Sequence, residues 1–355
     1  VDIDPQAVEI TRFSLLLKVL ETVPASSISA GLDEDHVRAL PNLDANIKVG
    51  NSLVDNRYFN FDPAAATDEQ RYSSIYPLDW RAAFPSVFAQ GGFDGIVGNP
   101  PYIRIQNMVH YSPQEVAYYQ SRFSPYTCAR NDNFDKYELF IERSLGLLKS
   151  NGRLGYIVPH KFFITRSGGS LRRLLAGGKH LSKIVHFGVN QVFGRKRTTY
   201  TCLLFVTRET SPTFSVHHVR DLASWRLNRQ VESVDYRAED FGEGPWEFVS
   251  PSASLVFQRL REQNPTPLKQ VAEIMVGVQT SADRIYIVQP SRETADEVEF
   301  RDVQGQGWTI EKSILRRCLK DAPILPYGRP GANAWMIFPY TIQGRFAVPL
   351  SAQEL

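Results

Sequence analysis

The chain has 355 residues, of which 43% are hydrophobic and 22% are charged, and its formal net charge is +2. This composition is typical of a globular protein long enough for two domains. The sequence contains no apolar run long enough for a membrane span, no secretory leader, and only three widely spaced cysteines, so it predicts a cytoplasmic protein without a disulfide framework or metal site.

The small net charge hides a basic region. Residues 161–230 carry 13 Lys or Arg against two acids, which leaves the rest of the chain net acidic. Such an uneven distribution indicates an electrostatic face, and a polyanion is its natural partner.

The first part of the chain alternates helical and strand patterns. Pro5 and an N-cap at Asp4 predict a helix from residue 5 to about residue 20. A short strand is predicted at 47–49 and a short helix at 78–84. Because the first residues resemble the end of a strand, we expect the numbered chain to be a piece of a longer polypeptide.

The pattern continues through residue 207. Apolar periodicity predicts helices at 134–149 and 170–175, and strands at 93–98, 153–158, 184–187 and 200–207. His217 and His218 fit an alternating strand better than a metal site. Strands separated by helices predict a mostly parallel α/β sheet covered on both faces.

The character of the chain changes after residue 210. We predict a catalytic domain at 1–210, a connecting segment at 211–263 that ends in a helix, and a second domain at 264–355. Strands predicted at 274–278 and 285–288 indicate that this second domain is α+β or β-rich.

The strongest chemical signal is Asn99-Pro100-Pro101-Tyr102, directly after the predicted strand 93–98. Two prolines stiffen the backbone and remove two N–H donors. The loop therefore offers acceptors, the Asn99 side-chain oxygen and the Pro100 carbonyl, beside the flat face of Tyr102. It lies at the carboxyl end of a strand, where open α/β sheets bind ligands.

These acceptors suit a planar amine. An amino group on a heteroaromatic ring is a poor nucleophile because its lone pair is delocalised. Two acceptors that hold both hydrogens favour a pyramidal nitrogen aimed at an electrophile. The four residues alone leave a second interpretation open, in which they form only a rigid turn.

The loop and its surroundings resemble the amino-group methyltransferases that use S-adenosylmethionine. The closest resemblance is to adenine-specific DNA methyltransferases of the gamma class, which include Taq-type and fused type IIG restriction–modification enzymes. The segments that carry it, in the family's order, are 1–5, 49–53, 93–102, 135–140, 152–159, 192–197 and 201–206, with a weaker match at 271–288. The resemblance implies a Rossmann-like class I methyltransferase sheet, whose first strand and glycine-rich cofactor loop are expected upstream of residue 1, followed by the start of a target-recognition domain.

The resemblance also implies roles for individual residues at the cofactor. Asp2 is expected to accept hydrogen bonds from the ribose hydroxyls, and Asn51 to bond the cofactor adenine. Ile3 and Phe140 are expected to line the adenine pocket, and Pro101 to belong to both the cofactor and the catalytic site. Core packing of Ile3 and Phe140, and a strand-end role for Asn51, remain open alternatives.

At the target base, the resemblance implies that Asn99 and Pro100 hold the amino group while Tyr102 and Phe193 stack on the two faces of the ring. The base must then leave the duplex, since its amino group cannot meet a methyl donor inside the helix. The basic cluster Arg195, Lys196 and Arg197 is expected to contact the DNA backbone; a solvated turn is the alternative.

Together these features predict a site-specific adenine N6 methyltransferase acting on double-stranded DNA, within a restriction–modification or phage-defence protein. An enzyme acting on RNA adenine or protein glutamine, or a non-catalytic DNA-recognition subunit, stays open. The sequence contains no Asp/Glu-x-Lys nuclease tripeptide, so cleavage residues would lie elsewhere. We expect residues 1–355 alone to bind S-adenosylmethionine poorly, because the expected cofactor loop is absent from them.

Overall fold

A computed structural model describes residues 1–22, 42–130, 133–193, 199–229, 231–249, 251–264, 266–273, 277–322, 325, 328–344 and 346–351. The chain divides into two compact units, Val1–Arg259 and Leu260–Leu355. Within the described residues, no helix combines the length and apolarity needed to cross a bilayer.

The described residues form thirteen α-helices. In chain order they are α1 Pro5–Thr22, α2 Tyr58–Phe61, α3 Glu69–Ile75, α4 Trp80–Ala83, α5 Pro85–Ala89, α6 Ile105–Tyr111, α7 Pro113–Gln120, α8 Lys136–Leu147, α9 Gly169–Gly177, α10 Leu222–Asn228, α11 Pro251–Gln263, α12 Leu268–Val271 and α13 Asp283–Tyr286. Short 3₁₀ turns occur at Pro63–Ala66, Cys128–Arg130, His160–Phe163, Ala238–Asp240 and Lys312–Ile314.

The first helix shows how local sequence sets these boundaries. The Asp4 carboxylate accepts from the Gln6 backbone N–H at 2.9 Å, and the Asp4 carbonyl accepts from the Val8 N–H at 3.1 Å. Pro5 occupies the first helical position, where its missing N–H costs nothing. The predicted N-cap at Asp4 is confirmed.

The first unit is built around a six-stranded sheet. Its strands are β1 Phe93–Gly98, β2 Leu148–Pro159, β3 Leu181–His186, β4 Thr201–Thr207, β5 Thr213–His218 and β6 Glu232–Arg237. Their order across the sheet is β1-β2-β4-β3-β5-β6. His217 and His218 lie in β5, as predicted from the alternation of the sequence.

The prediction of a mostly parallel sheet is wrong for these strands. Two neighbouring pairs of this sheet, β1 with β2 and β3 with β5, are parallel. Strand β4 lies between β2 and β3 and runs antiparallel to both. The predicted domain limit at residue 210 falls inside this sheet, since β5 pairs with β3 and β6 pairs with β5.

Two isolated parallel bridges occur outside the named strands. Asp2 bridges to Val49, and Asn51 bridges to Pro77. The predicted strand at 47–49 is therefore reduced to a single bridge. Gly50 lies between the two bridges with φ +153°, and a Cβ there would lie 2.9 Å from the Leu78 Cβ, so the close approach requires glycine.

A core rich in aromatic residues fills the space between the sheet and its helices. Its largest fully buried members are Tyr58, Tyr118, Tyr119, Tyr126, Tyr137, Phe134 and Phe162. Strand β2 contributes alternate side chains to this core, including Leu154, Tyr156 and Val158. The helices α7 and α8 are thereby held against the strands that carry the loop at 99–102.

The second unit is β-rich. Its strands are β7 Ile287–Val288, β8 Pro290–Glu293, β9 Glu297–Arg301, β10 Gly307–Glu311, β11 Leu315–Cys318, β12 Ala334–Ile337, β13 Tyr340–Gln343 and β14 Phe346–Pro349. They form the sheets β10-β9-β8, β11-β12-β7 and β13-β14. Of the strands predicted here, 274–276 lie outside the described residues, and 285–286 belong to α13.

Candidate active site

The loop at 99–102 leaves the end of β1 with its two ends held firmly. At its start, Gly98 lies against the Tyr156 ring, and a Cβ there would be 3.0 Å from Cε1. At its end, the Tyr102 hydroxyl donates to the Ile157 carbonyl at 2.8 Å. Pro100 is buried, whereas Asn99 is exposed. The loop therefore presents the Asn99 amide from a rigid support.

The start of α8 anchors the chain just after this loop. The Lys136 backbone N–H donates to the Ile103 carbonyl at 2.8 Å, and Arg104 bridges to Asp135. The Tyr102 ring also packs edge-on against Tyr137, with ring centroids 6.2 Å apart. The loop is thus attached to both β2 and α8.

One cavity of about 530 Å³ opens beside the loop. It brings together seven of the predicted site residues: Asp2, Ile3, Asn51, Asn99, Pro100, Pro101 and Phe140. It is also lined by Val1, Gly50, Ser52, Trp80, Ile96, Val97, Gly98, Lys136 and Tyr156. Its volume lies within the usual range of small-molecule and cofactor sites.

Asp2 lines this cavity and is exposed to solvent. Its backbone is held by the bridge to Val49, in which the Gly50 N–H donates to the Asp2 carbonyl at 2.8 Å. Its Oδ1 accepts from the Asp4 N–H at 2.9 Å. This intramolecular bond orients the carboxylate and leaves acceptor capacity on the second oxygen.

Asn51 lies deeper and is held by a buried charged pair. Its Nδ2 donates to Glu115, and its Oδ1 accepts from the Leu53 N–H at 3.0 Å. Glu115, on α7, is itself paired with the Lys136 ammonium at 2.9 Å. Asn51 and Glu115 are both buried, and Lys136 also lines the cavity.

A second cavity of about 210 Å³ is lined by Tyr102. Its other lining residues are Arg104, Asp135, Pro159, His160, Lys161, Thr199 and Tyr200. Burial raises the pKa of Tyr102 to about 12, so its hydroxyl remains a donor at neutral pH. His160 stacks on Tyr200 with centroids 6.2 Å apart.

Two buried acids, Asp135 on the lining of the second cavity and Glu138 on α8, lie close together in the sequence. Asp135 is buried and pairs with Lys161 at 2.6 Å. Glu138 is fully buried, and neither of its carboxyl oxygens has a hydrogen-bond partner among the described residues. Burial, with the Asp135 charge, raises the pKa of Glu138 well above its usual range.

A buried arginine holds the segment that carries Lys161. Arg172, on α9, donates to the carbonyls of Phe162, Thr165 and Glu243, the last two at 2.8 Å. These bonds tie the turn after β2 to both α9 and the loop at 241–249. One wall of the second cavity therefore depends on Arg172.

The remaining predicted residues are placed differently. Phe193 is 42% exposed and lines neither cavity, while Arg195, Lys196 and Arg197 lie outside the described residues. In the described part of the chain, no group of three or more His, Cys, Asp or Glu side chains is arranged to hold a metal ion.

Sequence reasoning missed several residues that line the two cavities: Trp80, Lys136 and Tyr156 in the first, and Asp135, His160, Lys161 and Tyr200 in the second. Tyr200 carries a usable signal, since it is an aromatic residue at the start of the predicted strand 200–207, near Phe193 in the sequence. The charged pairs carry none, because their partners are distant in the sequence.

Comparisons with known proteins give matches to restriction-modification methylases. The family model described as Eco57I restriction-modification methylase matches residues 1–193. The chain is 32% identical over 350 residues to the Type II restriction enzyme and methyltransferase RM.Eco57I of Escherichia coli, covering 96% of this chain and 32% of that protein. It is 27% identical over 247 residues to the Type II methyltransferase M.PaeR7I of Pseudomonas aeruginosa, covering 61% and 41%.

A solved type I restriction-modification system methyltransferase subunit from Streptococcus thermophilus is also similar. It shares 14% identity and a TM-score of 0.30 over 46% of this chain and 37% of that one. The chain spans about a third of the length of the E. coli relative. The family match confirms the resemblance and the predicted class I methyltransferase fold.

Proposed function

The chain belongs to the Eco57I restriction-modification methylase family, and from this premise we propose that it forms part of an S-adenosylmethionine-dependent enzyme that methylates the N6 amino group of adenine in double-stranded DNA. One observation carries the proposal. The loop Asn99–Pro101 opens into the same cavity as Asp2, Asn51 and Phe140, so a methyl donor and an amine acceptor could meet there.

The loop supplies the acceptors that such an amine needs. The Asn99 side-chain oxygen and the Pro100 carbonyl accept the two N6 hydrogens, and this pulls the nitrogen toward a pyramidal geometry. The developing positive charge on the nitrogen is stabilised by the same two oxygens. Because Pro100 and Pro101 lack N–H groups, the loop itself has no backbone donor at these two positions.

The residues of the larger cavity fit the cofactor. The free acceptor capacity of Asp2 suits ribose hydroxyls, and Ile3 and Phe140 offer apolar surface to an adenine ring. When bound, S-adenosylmethionine supplies an electrophilic methyl group on a sulfonium. Pro101 lines this cavity and directly precedes Tyr102 in the chain, which suits its assignment to both parts of the site.

The target base would lie on the Tyr102 ring, on the side of the smaller cavity. Reaching it requires the base to leave the duplex at a cost of a few kcal/mol, and stacking on an aromatic face offsets about 1–3 kcal/mol. Phe193 is proposed to cover the second face. The basic region 161–230 is proposed to contact phosphates, which predicts DNA affinity that falls steeply with salt.

A methyl-transfer assay on the full-length protein tests the proposal. Label from S-adenosylmethionine should enter duplex DNA, and digestion should yield N6-methyladenine. Asn99→Ala should lower kcat by about 100-fold or more with DNA affinity unchanged. Asn60→Ala, on the exposed face of α2, is the matched control and should match the unsubstituted enzyme.

Two results would reject this function. Label found in RNA or in a glutamine-containing peptide, but not in DNA, would replace the substrate class. Full activity in Asn99→Ala would remove the role proposed for the loop, whatever the substrate.

A further inference from the structure

A histidine at the smaller cavity joins the two chain segments on either side of Phe193. His160 lies in the 3₁₀ turn after β2 and lines that cavity together with Tyr102. Its backbone N–H donates to the Tyr200 carbonyl at 3.1 Å. Its side-chain Nε2 lies 3.2 Å from the Gly188 carbonyl oxygen. One residue therefore contacts the chain both before and after Phe193.

The chemistry of these contacts determines which ring nitrogens carry a proton. A carbonyl oxygen only accepts hydrogen bonds, so the His160 Nε2 must be a donor to Gly188. The Gly188 N–H donates in turn to the His186 Nδ1 at 2.9 Å, so that nitrogen must be unprotonated. Burial lowers the pKa of His186 to about 4, which keeps this acceptor available at neutral pH. Histidine side chains thus hold both backbone groups of Gly188.

Ring contacts fix the imidazole of His160 in this position. Its centroid lies 4.6 Å from that of His186. It also stacks with the rings of Phe163 and Tyr200, at centroid distances of 6.1 and 6.2 Å. Because three rings pack against the imidazole, its rotation is restricted and the Nε2–H stays directed at the Gly188 carbonyl.

The segment after Gly188 is tied down again before it reaches Phe193. The Asn190 Nδ2 donates to the carbonyls of Phe187 and Val219, at 2.9 and 3.1 Å. Phe193 itself is 42% exposed and packs into none of the apolar clusters of the described residues. Its position therefore depends on the backbone that bears it, and not on packing of its own ring.

We propose that His160 is a positioning residue, which holds the segment bearing Phe193 beside the Tyr102 side of the target-base site through its bond to Gly188. This inference rests on the proposed function, since it takes Phe193 and Tyr102 to enclose the flipped adenine. The base meets Phe193 only after it has left the duplex. Loss of the bond should therefore lower kcat and leave the KM for DNA, which depends on phosphate contacts, nearly unchanged.

The test compares two uncharged substitutions of similar size in the full-length protein. His160→Gln keeps an N–H donor for the Gly188 carbonyl, whereas His160→Met has none. Transfer of labelled methyl groups to unmethylated genomic DNA gives kcat and the KM for DNA. His160→Met should lower kcat by about tenfold, the effect of one hydrogen bond and a weakened stacking contact. His160→Gln should keep kcat within about twofold of the unsubstituted enzyme.

Hydrogen–deuterium exchange of the same variants reports on the segment itself. In His160→Met, peptides covering residues 186–193 should exchange about fivefold faster, because the Gly188 backbone loses a contact. The matched control is His180→Met. His180 is also partly exposed and contacts a backbone carbonyl, that of Thr207 at 3.0 Å, but it lies at the other end of β3. This variant should change neither kcat nor exchange at 186–193.

A double variant tests whether His160 acts through Phe193. Phe193→Ala removes the ring that the segment is proposed to position. Adding His160→Met to Phe193→Ala should then lower kcat by less than about twofold further, whereas independent effects would multiply.

Each outcome decides the inference. Equal kcat in His160→Gln and His160→Met, unchanged exchange at 186–193 in His160→Met, or multiplied effects in the double variant would overturn it and leave the proposed function intact. No methylation of DNA by the unsubstituted protein would overturn both. If His160→Met does not fold, as judged by thermal unfolding, His160→Phe takes its place, since it fills the space among the same rings without a donor and should give the same losses.

Discussion

Arg172 offers a sharp test of how the turn after β2 is held. Its side chain is 3% exposed and donates to three backbone carbonyls, of Phe162, Thr165 and Glu243. Arg172→Met retains most of the apolar stem but removes the guanidinium. The three carbonyls then lose their shared donor inside the protein.

The magnitude follows from these contacts. Hydrogen bonds from a charged donor contribute about 1.5–3 kcal/mol each, so three of them set an upper limit of about 9 kcal/mol. The cost of burying the guanidinium offsets about half of that. We therefore expect Arg172→Met to lower the free energy of unfolding by about 4 kcal/mol, which is large for a single substitution.

Urea unfolding of the whole chain measures this loss by tryptophan fluorescence. Trp246 is buried beside the same turn, where its backbone N–H donates to the Phe163 carbonyl at 2.7 Å. The matched control is Arg173→Met, since Arg173 is 63% exposed and, among the described residues, forms an ion pair with the Glu243 carboxylate alone. The urea midpoint of this variant should not move. Equal midpoints for the two variants would refute the reasoning.

Three further substitutions test other parts of the first unit. Burial lowers the pKa of His186 to about 4 in the folded protein, whereas the pKa of an unfolded histidine is about 6.5. Because the unfolded state binds the proton more readily, the free energy of unfolding should fall by about 2 kcal/mol from pH 7 to pH 5. His186→Gln should remove that loss, as measured by unfolding curves at the two pH values. In Gly50→Ala, the new Cβ would lie 2.9 Å from the Leu78 Cβ, on a backbone with φ +153°. The substitution should lower the free energy of unfolding by more than about 1 kcal/mol. It should also weaken cofactor binding measured by calorimetry. Tyr102→Phe keeps the ring but loses the 2.8 Å hydrogen bond to the Ile157 carbonyl. Thermal unfolding should report a stability loss of about 1 kcal/mol. A loss of methylation as complete as in Tyr102→Ala would contradict stacking as the main role of Tyr102.

The part of the site that could be predicted from the sequence is the part whose chemistry is local. Strand β1 and its loop follow from an apolar run that ends at two prolines, and the structure places the strand at Phe93–Gly98 as predicted. The N-cap at Asp4 is equally local. The sharing of one cavity by Asp2, Asn51 and Asn99 was expected from the family resemblance and not from local chemistry.

The rest depends on partners that are distant in the chain. Alternation of apolar side chains is the same in parallel and antiparallel strands, so nothing local revealed that β4 runs against β2 and β3. Buried charged residues are even harder to identify from the sequence. Arg172 and Arg173 are adjacent and identical in type, yet only Arg172 is buried, because only its position on α9 faces the carbonyls of the turn.

The place of β4 also sets an order for folding on the ribosome. Strands β2 and β3 leave the ribosome before β4, yet their only shared neighbour in the sheet is β4 itself. Until residues 201–207 emerge, β2 and β3 each present an unpaired edge rich in apolar side chains, which is a hazard for aggregation. A chain stalled before residue 201 should therefore be captured by chaperones, and one stalled well after residue 237 should resist protease over the first unit.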